Sequence, residues 1–138
     1  MERAYEKPLP RIDERSRPWW EALRRHELMI QKCDNCSNLS FPPAPICARC
    51  KREELSWVRA SGRGRLWSWT VFHKSYFPSY ATEIPYAVSI VELEEGPRLW
   101  THIVGVAPLD LDIGMPVEAF FDDVTDEVTL IKFRRANS

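Results

Sequence analysis

Cys33-Asp34-Asn35-Cys36 and Cys47-Ala48-Arg49-Cys50 are two C-x-x-C pairs separated by ten residues. Each pair puts two sulfurs on the same side of a tight turn, and four thiolates together can close a tetrahedral cage around one metal ion. Zinc is the expected ion, because a closed and redox-silent site suits a structural role; iron fits the same four sulfurs. Two disulfides or a redox-active dithiol are the competing chemistry, but no thioredoxin-like pattern surrounds either pair. Between Cys33 and Cys50 the chain offers little apolar material beyond Leu39, Phe41 and Ile46. That is too little to offset ordering costs of roughly 1–2 kcal/mol per residue, so the segment is expected to melt when its metal is chelated.

The remaining reactive side chains do not assemble into a catalytic set. His26, His73 and His102 have no serine or cysteine beside them in a nucleophile motif, and the cysteines are already assigned. His73 follows Trp69 and Val71 on one strand face and can reach a ligand, although a structural histidine at a strand end is the plainer reading. Glu92, Glu94 and Glu95, then Asp110 and Asp112, then Asp122 and Asp123 form acidic clusters that read as solvated carboxylates. Trp67, Trp69, Phe72, Tyr76, Phe77 and Tyr80 form the densest aromatic run, the kind of surface on which bases stack, but Lys74 is its lone cation.

Positioning these groups falls to a chain of 138 residues, long enough for one compact unit or a small metal-stapled piece joined to a barrel. Hydrophobic residues at 44% can build a core and charged residues at 28% keep the surface wet. Residues 1 to 65 carry 14 Lys and Arg against 9 Asp and Glu, a balance of +5, whereas residues 66 to 138 carry 5 against 11, a balance of −6. A uniformly basic nucleic-acid binder would look different. No apolar run approaches the roughly 18 to 20 residues that cross a bilayer, and the first residues lack a secretory signal's apolar stretch, so a cytoplasmic protein is expected.

Residues 1 to 15 read as an extended arm. Ser16 is placed to cap a short helix with Pro18 in its first turn, and Trp19, Trp20 and Leu23 form its apolar stripe. Those tryptophans either seal a junction within the chain or anchor a partner. Leu28 and Ile30 predict a strand entering the first cysteine pair, and Leu55, Trp57 and Val58 one leaving the second. Gly62 and Gly64 mark a hinge or bulge, after which five strands are predicted: Arg65 to Lys74, Tyr86 to Glu94, Arg98 to Val104, Val117 to Asp122 and Thr129 to Arg135. Val117, Ala119 and Phe121 share one face, as do Thr129, Ile131 and Phe133, leaving Glu118, Asp122, Lys132 and Arg134 outward. Five strands at this spacing suit a small barrel that begins as an antiparallel meander. Ser75 to Pro85 is the most conspicuous loop.

Taken in order, Trp19-Trp20-Glu21-Ala22-Leu23, the cysteine pairs with Phe41-Pro42-Pro43, Gly62-Arg63-Gly64, Pro85-Tyr86-Ala87-Val88, Glu92-Leu93-Glu94-Glu95-Gly96, Ile113-Gly114-Met115-Pro116-Val117 and Phe133-Arg134 carry a resemblance. Across nearly its whole length the chain resembles the domain-of-unknown-function family that joins a rubredoxin-like zinc ribbon to an OB-fold. The resemblance implies a mainly β protein: an arm and helix over 1–29, the zinc ribbon over 30–60 and a five-stranded OB-fold barrel over 61–138. Members of that family accompany thiolase-superfamily enzymes, including lipid-transfer-protein-like thiolases and aldolases, and hydratases acting on acyl-CoA. A non-catalytic subunit of a hetero-oligomer is therefore implied, with the chemistry in the partner and no membrane or nucleic acid involved. Trp19, Trp20, Arg24, Trp69, His73, Tyr76, Phe77 and Tyr80 are the expected partner- or CoA-facing residues. A single-stranded nucleic-acid module is the alternative, and the charge argues against it. Ser37-Asn38 stands where the family often has glycine, so Asn38 is expected to take the left-handed turn.

Overall fold

The computed structural model describes residues 10–74 and 84–136. A helix, α1 (Arg17–Arg24), leads into a three-stranded sheet of β1 (Met29–Cys33), β2 (Leu39–Ser40) and β3 (Leu55–Arg59). A six-stranded sheet follows, made of β4 (Arg63–Phe72), β5 (Tyr86–Leu93), β6 (Arg98–Thr101), β7 (Ile103–Val104), β8 (Pro116–Asp123) and β9 (Thr129–Arg135). The first sheet has the order β2-β1-β3 and the second β6-β5-β4-β8-β9-β7. The protein is thus mainly β, with one helix near its N-terminus, a four-cysteine ribbon and a C-terminal OB-fold barrel.

The helix begins where expected but is capped differently. Ser16 occupies the cap position without a side-chain cap bond. Its hydroxyl turns back to Asp13, whose carboxylate accepts from the Ser16 amide at 2.8 Å while Ser16 Oγ accepts from the Asp13 amide at 3.2 Å. Trp19, Ala22 and Leu23, at helical spacing, are buried. His26 ends the segment in a left-handed conformation, φ 60°. Its ring stacks on Phe121, with centroids 5.1 Å apart, and its Nε2 lies 3.0 Å from the Asp123 carboxylate, which pins the end of the helix to β8.

Leu28 and Ile30 point into the interior as their alternation predicts, and Gln31 is an exception: it is buried, and its Oε1 accepts the Ala44 amide at 2.9 Å. An apolar side chain there would orphan that N–H. Gly62 takes a left-handed turn, φ 82°. Gly64 lies inside β4, where a Cβ would sit 2.5 Å from the Glu92 carbonyl oxygen, so it lets two strands approach closely and is no hinge. The bulge falls at Trp67 instead, between Leu66 and Ser68, and it shifts the inward face from Leu66 to Trp69 and Val71.

The third predicted strand is divided. β6 pairs antiparallel with β5, but after His102 the chain changes neighbour, and β7 pairs parallel with β9 through Ile103↔Phe133 and Val104↔Arg134. That change of partner closes the ring, so the structure is a barrel and not an open meander. Leu23, Leu28, Ile30, Leu66, Val91, Leu99, Ile103 and Phe133 belong to one continuous core that runs from helix and ribbon into the barrel. Burying each such side chain stabilises the fold by about 1.5–3 kcal/mol. On the outside of β8 and β9, Glu118 pairs with Arg134 at 2.9 Å and Asp122 with Lys132, as the alternation predicts.

Candidate functional site

Cys33 closes β1, and Cys36 follows across a tight turn; Cys47 and Cys50 flank a second turn before β3. The two turns are built alike. The Ser37 amide donates to the Cys33 carbonyl and the Lys51 amide to the Cys47 carbonyl, each at 2.9 Å. The Cys33 amide donates to the Asn38 carbonyl at 2.9 Å, and the Cys47 amide to that of Arg52 at 2.8 Å. Both turns also aim N–H groups at sulfur: Cys36 to Cys33 Sγ and Cys50 to Cys47 Sγ at 3.5 Å, and Arg49 to Cys47 Sγ at 3.4 Å.

Ser37 and Lys51, each the first residue after the second cysteine of its pair, adopt φ 64° and 67°. The left-handed role expected of Asn38 therefore belongs to Ser37, because the turn needs it one residue earlier whatever residue stands there. A serine in that conformation costs about 1–2 kcal/mol that glycine avoids. Ser37→Gly is expected to stabilise the ribbon by about 0.5–1 kcal/mol after glycine's extra chain entropy is counted, whereas Asn38→Gly gives no such gain. Thermal unfolding of the metal-loaded chains checks this.

The four Sγ atoms lie within 4.8 Å of one another, with Cys33 and Cys50 3.4 Å apart and Cys36 and Cys47 3.6 Å apart. A tetrahedral ion with metal–sulfur bonds of about 2.3 Å separates its sulfurs by about 3.8 Å, so the spacing and the all-sulfur donor set fit a structural metal. Four thiols this close cannot all ionise unaided. The Cys50 amide, opposed by burial and helped by the Arg49 amide, draws the Cys47 thiol down to about 6. Cys50 is lowered as well, chiefly by the Arg52 amide. Cys36, although the Asn38 amide pulls it down, is pushed up to about 11 by burial and the other sulfurs. A central cation removes that conflict.

The other candidates do not converge on one place. Trp19 is 5% exposed and packs its ring on Phe41, with centroids 4.6 Å apart, so it is committed to the junction between helix and ribbon. Trp20 and Trp69 are half-buried against the same core. Arg24 is exposed near the end of α1, and His73 is exposed just past β4. Tyr76, Phe77 and Tyr80 lie outside the described residues.

A surface that the motifs did not single out lies on β4, β5 and β6. Arg98 sits 4.0 Å from the centre of the Trp67 ring and pairs with Glu92 at 2.9 Å. Trp100, 67% exposed, stands opposite Ile90 in the register. The alternation Arg98, Trp100 on β6 was the available signal, but it carries meaning only once the neighbouring strands are known. Among the described residues no helix is long and apolar enough to cross a membrane.

Two family models match in succession: "ChsH2, rubredoxin-like zinc ribbon domain" over residues 20–56 and "ChsH2, C-terminal OB-fold domain" over residues 57–122. A probable enoyl-CoA hydratase alpha subunit of Thermomonospora curvata is 40% identical over 130 residues, covering 94% of this chain and 40% of that protein. The chain thus spans less than half the length of that relative. A DUF35 domain-containing scaffold protein of Methanocaldococcus jannaschii is 35% identical over 112 residues, 80% of this chain and 79% of that one. Among solved structures, a chain of the Ltp2-ChsH2(DUF35) aldolase superposes with a TM-score of 0.83 at 40% identity, covering 94% of this chain and all of that chain.

Proposed function

We propose that this chain, which belongs to the DUF35 family of rubredoxin-like zinc ribbons joined to an OB-fold, is a non-catalytic subunit that docks on a thiolase-superfamily enzyme acting on an acyl-CoA. Cys33, Cys36, Cys47 and Cys50 hold a structural zinc ion, and turnover occurs in the partner. The observation that carries this reading is the likeness, over the full length of the matched chain, to a chain of a two-component aldolase complex. Two features of the molecule support it. The clustered thiols form a closed cage with no place for a substrate. The outer face of β4 to β6 offers Trp67, Arg98 and Trp100, the residue types that dominate binding energy at protein interfaces. Trp20, Arg24 and His73 are the proposed further contacts to the partner or to CoA.

The test is co-purification from the native cell, with the partner identified by mass. A thiolase-superfamily subunit is expected at fixed stoichiometry, and Trp100→Glu should release it while leaving the melting temperature of the isolated chain unchanged. A chain that stays alone in every such preparation, or that converts a thioester unaided, overturns the proposal.

A further inference from the structure

β5 and β6 remain paired only as far as Ser89↔Thr101; beyond that step the chain leaves for β9, and the barrel wall between β5 and β7 parts. At the gap is a cleft of ≈ 440 Å³, lined from the barrel interior by Ala87, Ser89 and Ile103 and from the outer face by Val88, Leu130 and Lys132. That volume falls within the range of about 300–1,000 Å³ typical of small-molecule sites. The inner face of β5 reads Ala87, Ser89, Val91, Leu93, and its first two side chains are too small to fill the space opposite Ile103, Val106 and Leu111.

The polar side chains that line the cleft are Tyr86, Ser89, Thr101, His102 and Lys132, and Thr101 Oγ1 already donates to the Ile131 carbonyl at 3.0 Å. Ser89 is fully buried, and its Oγ has no hydrogen-bond partner among the described residues. Such an orphan lowers stability, and an alanine in its place would not. His102 stands at the rim with Nδ1 3.3 Å from the Ala87 carbonyl. A carbonyl only accepts, so Nδ1 is the donor in that contact. The charge of Lys132 is met by Asp122. One water bound to Ser89 would satisfy its hydroxyl and leave the apolar wall of Ala87, Ile103, Val106 and Leu111 uncovered.

We propose that this cleft is a binding site for a small, neutral, mainly apolar molecule whose single hydroxyl or carbonyl oxygen pairs with Ser89. The site is separate from the metal cage and from the outer face of β4 to β6, so it stands whether or not the docking function holds. The experiment titrates the full metal-loaded chain with para-alkylphenols and linear alkanols, following the methyl signals of Ala87 and Ile103. Saturable shifts are expected at millimolar probe or below. Ser89→Ala should raise the melting temperature, because it removes an unpaired hydroxyl, and weaken binding of the best probe about tenfold. Ala87→Leu should block binding by filling the space. Ser89→Cys, close in size and a weaker hydrogen-bond partner, provides the same comparison if the alanine chain does not fold. The proposal is overturned if no probe gives a saturable shift at millimolar concentration, or if Ser89→Ala lowers the melting temperature and binds the probe unchanged.

Discussion

Stripping the metal from the four-cysteine cage will unfold the ribbon while the barrel keeps its strand signal. Within the segment from Cys33 to Cys50 only the two cysteines Cys33 and Cys47 are buried; Leu39 and Phe41 are half-exposed, and Ile46 is 39% exposed. That inventory cannot order the segment by itself, whereas a structural zinc site supplies about 10–16 kcal/mol toward it. Amide exchange before and after chelation reads the outcome: protection should vanish at Cys33, Ser37, Cys47 and Lys51 and persist at Leu66, Leu93 and Phe133. Cys47→Ser should have the same effect at ordinary metal concentrations. Acid should act like the chelator. The Cys47 thiol titrates below its ordinary 9.0, so its thiolate favours the folded ribbon fully above that pH, and the contribution fades as pH falls to about 6. Metal release, followed with a chromophoric chelator, should rise as the medium is acidified, because protons compete with the ion for the four thiolates. A ribbon that keeps its protection in excess chelator would remove the structural role of the cage.

Trp19→Ala is expected to cost about 3–5 kcal/mol, the usual loss for deleting a buried tryptophan side chain. The ring is 5% exposed and lies between the helix and Phe41, in a core continuous with Leu23, Ile30 and the barrel. Its removal leaves a cavity in the packing that helix, ribbon and barrel share. Trp20→Ala should cost clearly less, because that side chain is only half-buried. Chemical denaturation of the two chains gives the comparison, and equal losses would show that Trp19 does not hold the junction.

The cysteine cage was legible in the sequence because its ligands are of one type and lie close together along the chain, so local spacing was enough to place them. The strand faces of β8 and β9 were legible for a similar reason: Val117 and Phe133 repeat at the period of the pleat. The break at His102 was not. Leu99 and Ile103 are both buried and keep the same alternation across it, so the hydrophobic pattern runs on unbroken while the hydrogen-bonding neighbour changes from β5 to β9. The bulge at Trp67 was hidden in the same way, since it depends on what β5 requires of β4. For Ser37, residue preference pointed to the neighbouring asparagine, but the matching conformation of Lys51 shows that the turn, not the side chain, sets the position. The outer aromatic face joins residues from three strands and became visible only with their register.

The parallel pairing of β7 with β9 also dictates an order of assembly. Contacts within the ribbon span a few tens of residues and can form as soon as β3 is available, whereas the ring cannot shut until Thr129–Arg135 has been synthesised to meet Ile103 and Val104. On the ribosome the metal-loaded lobe should mature early and wait beside an unfinished cylinder. A chain halted just before β9 would expose the raw margins of β7 and β8 to self-association.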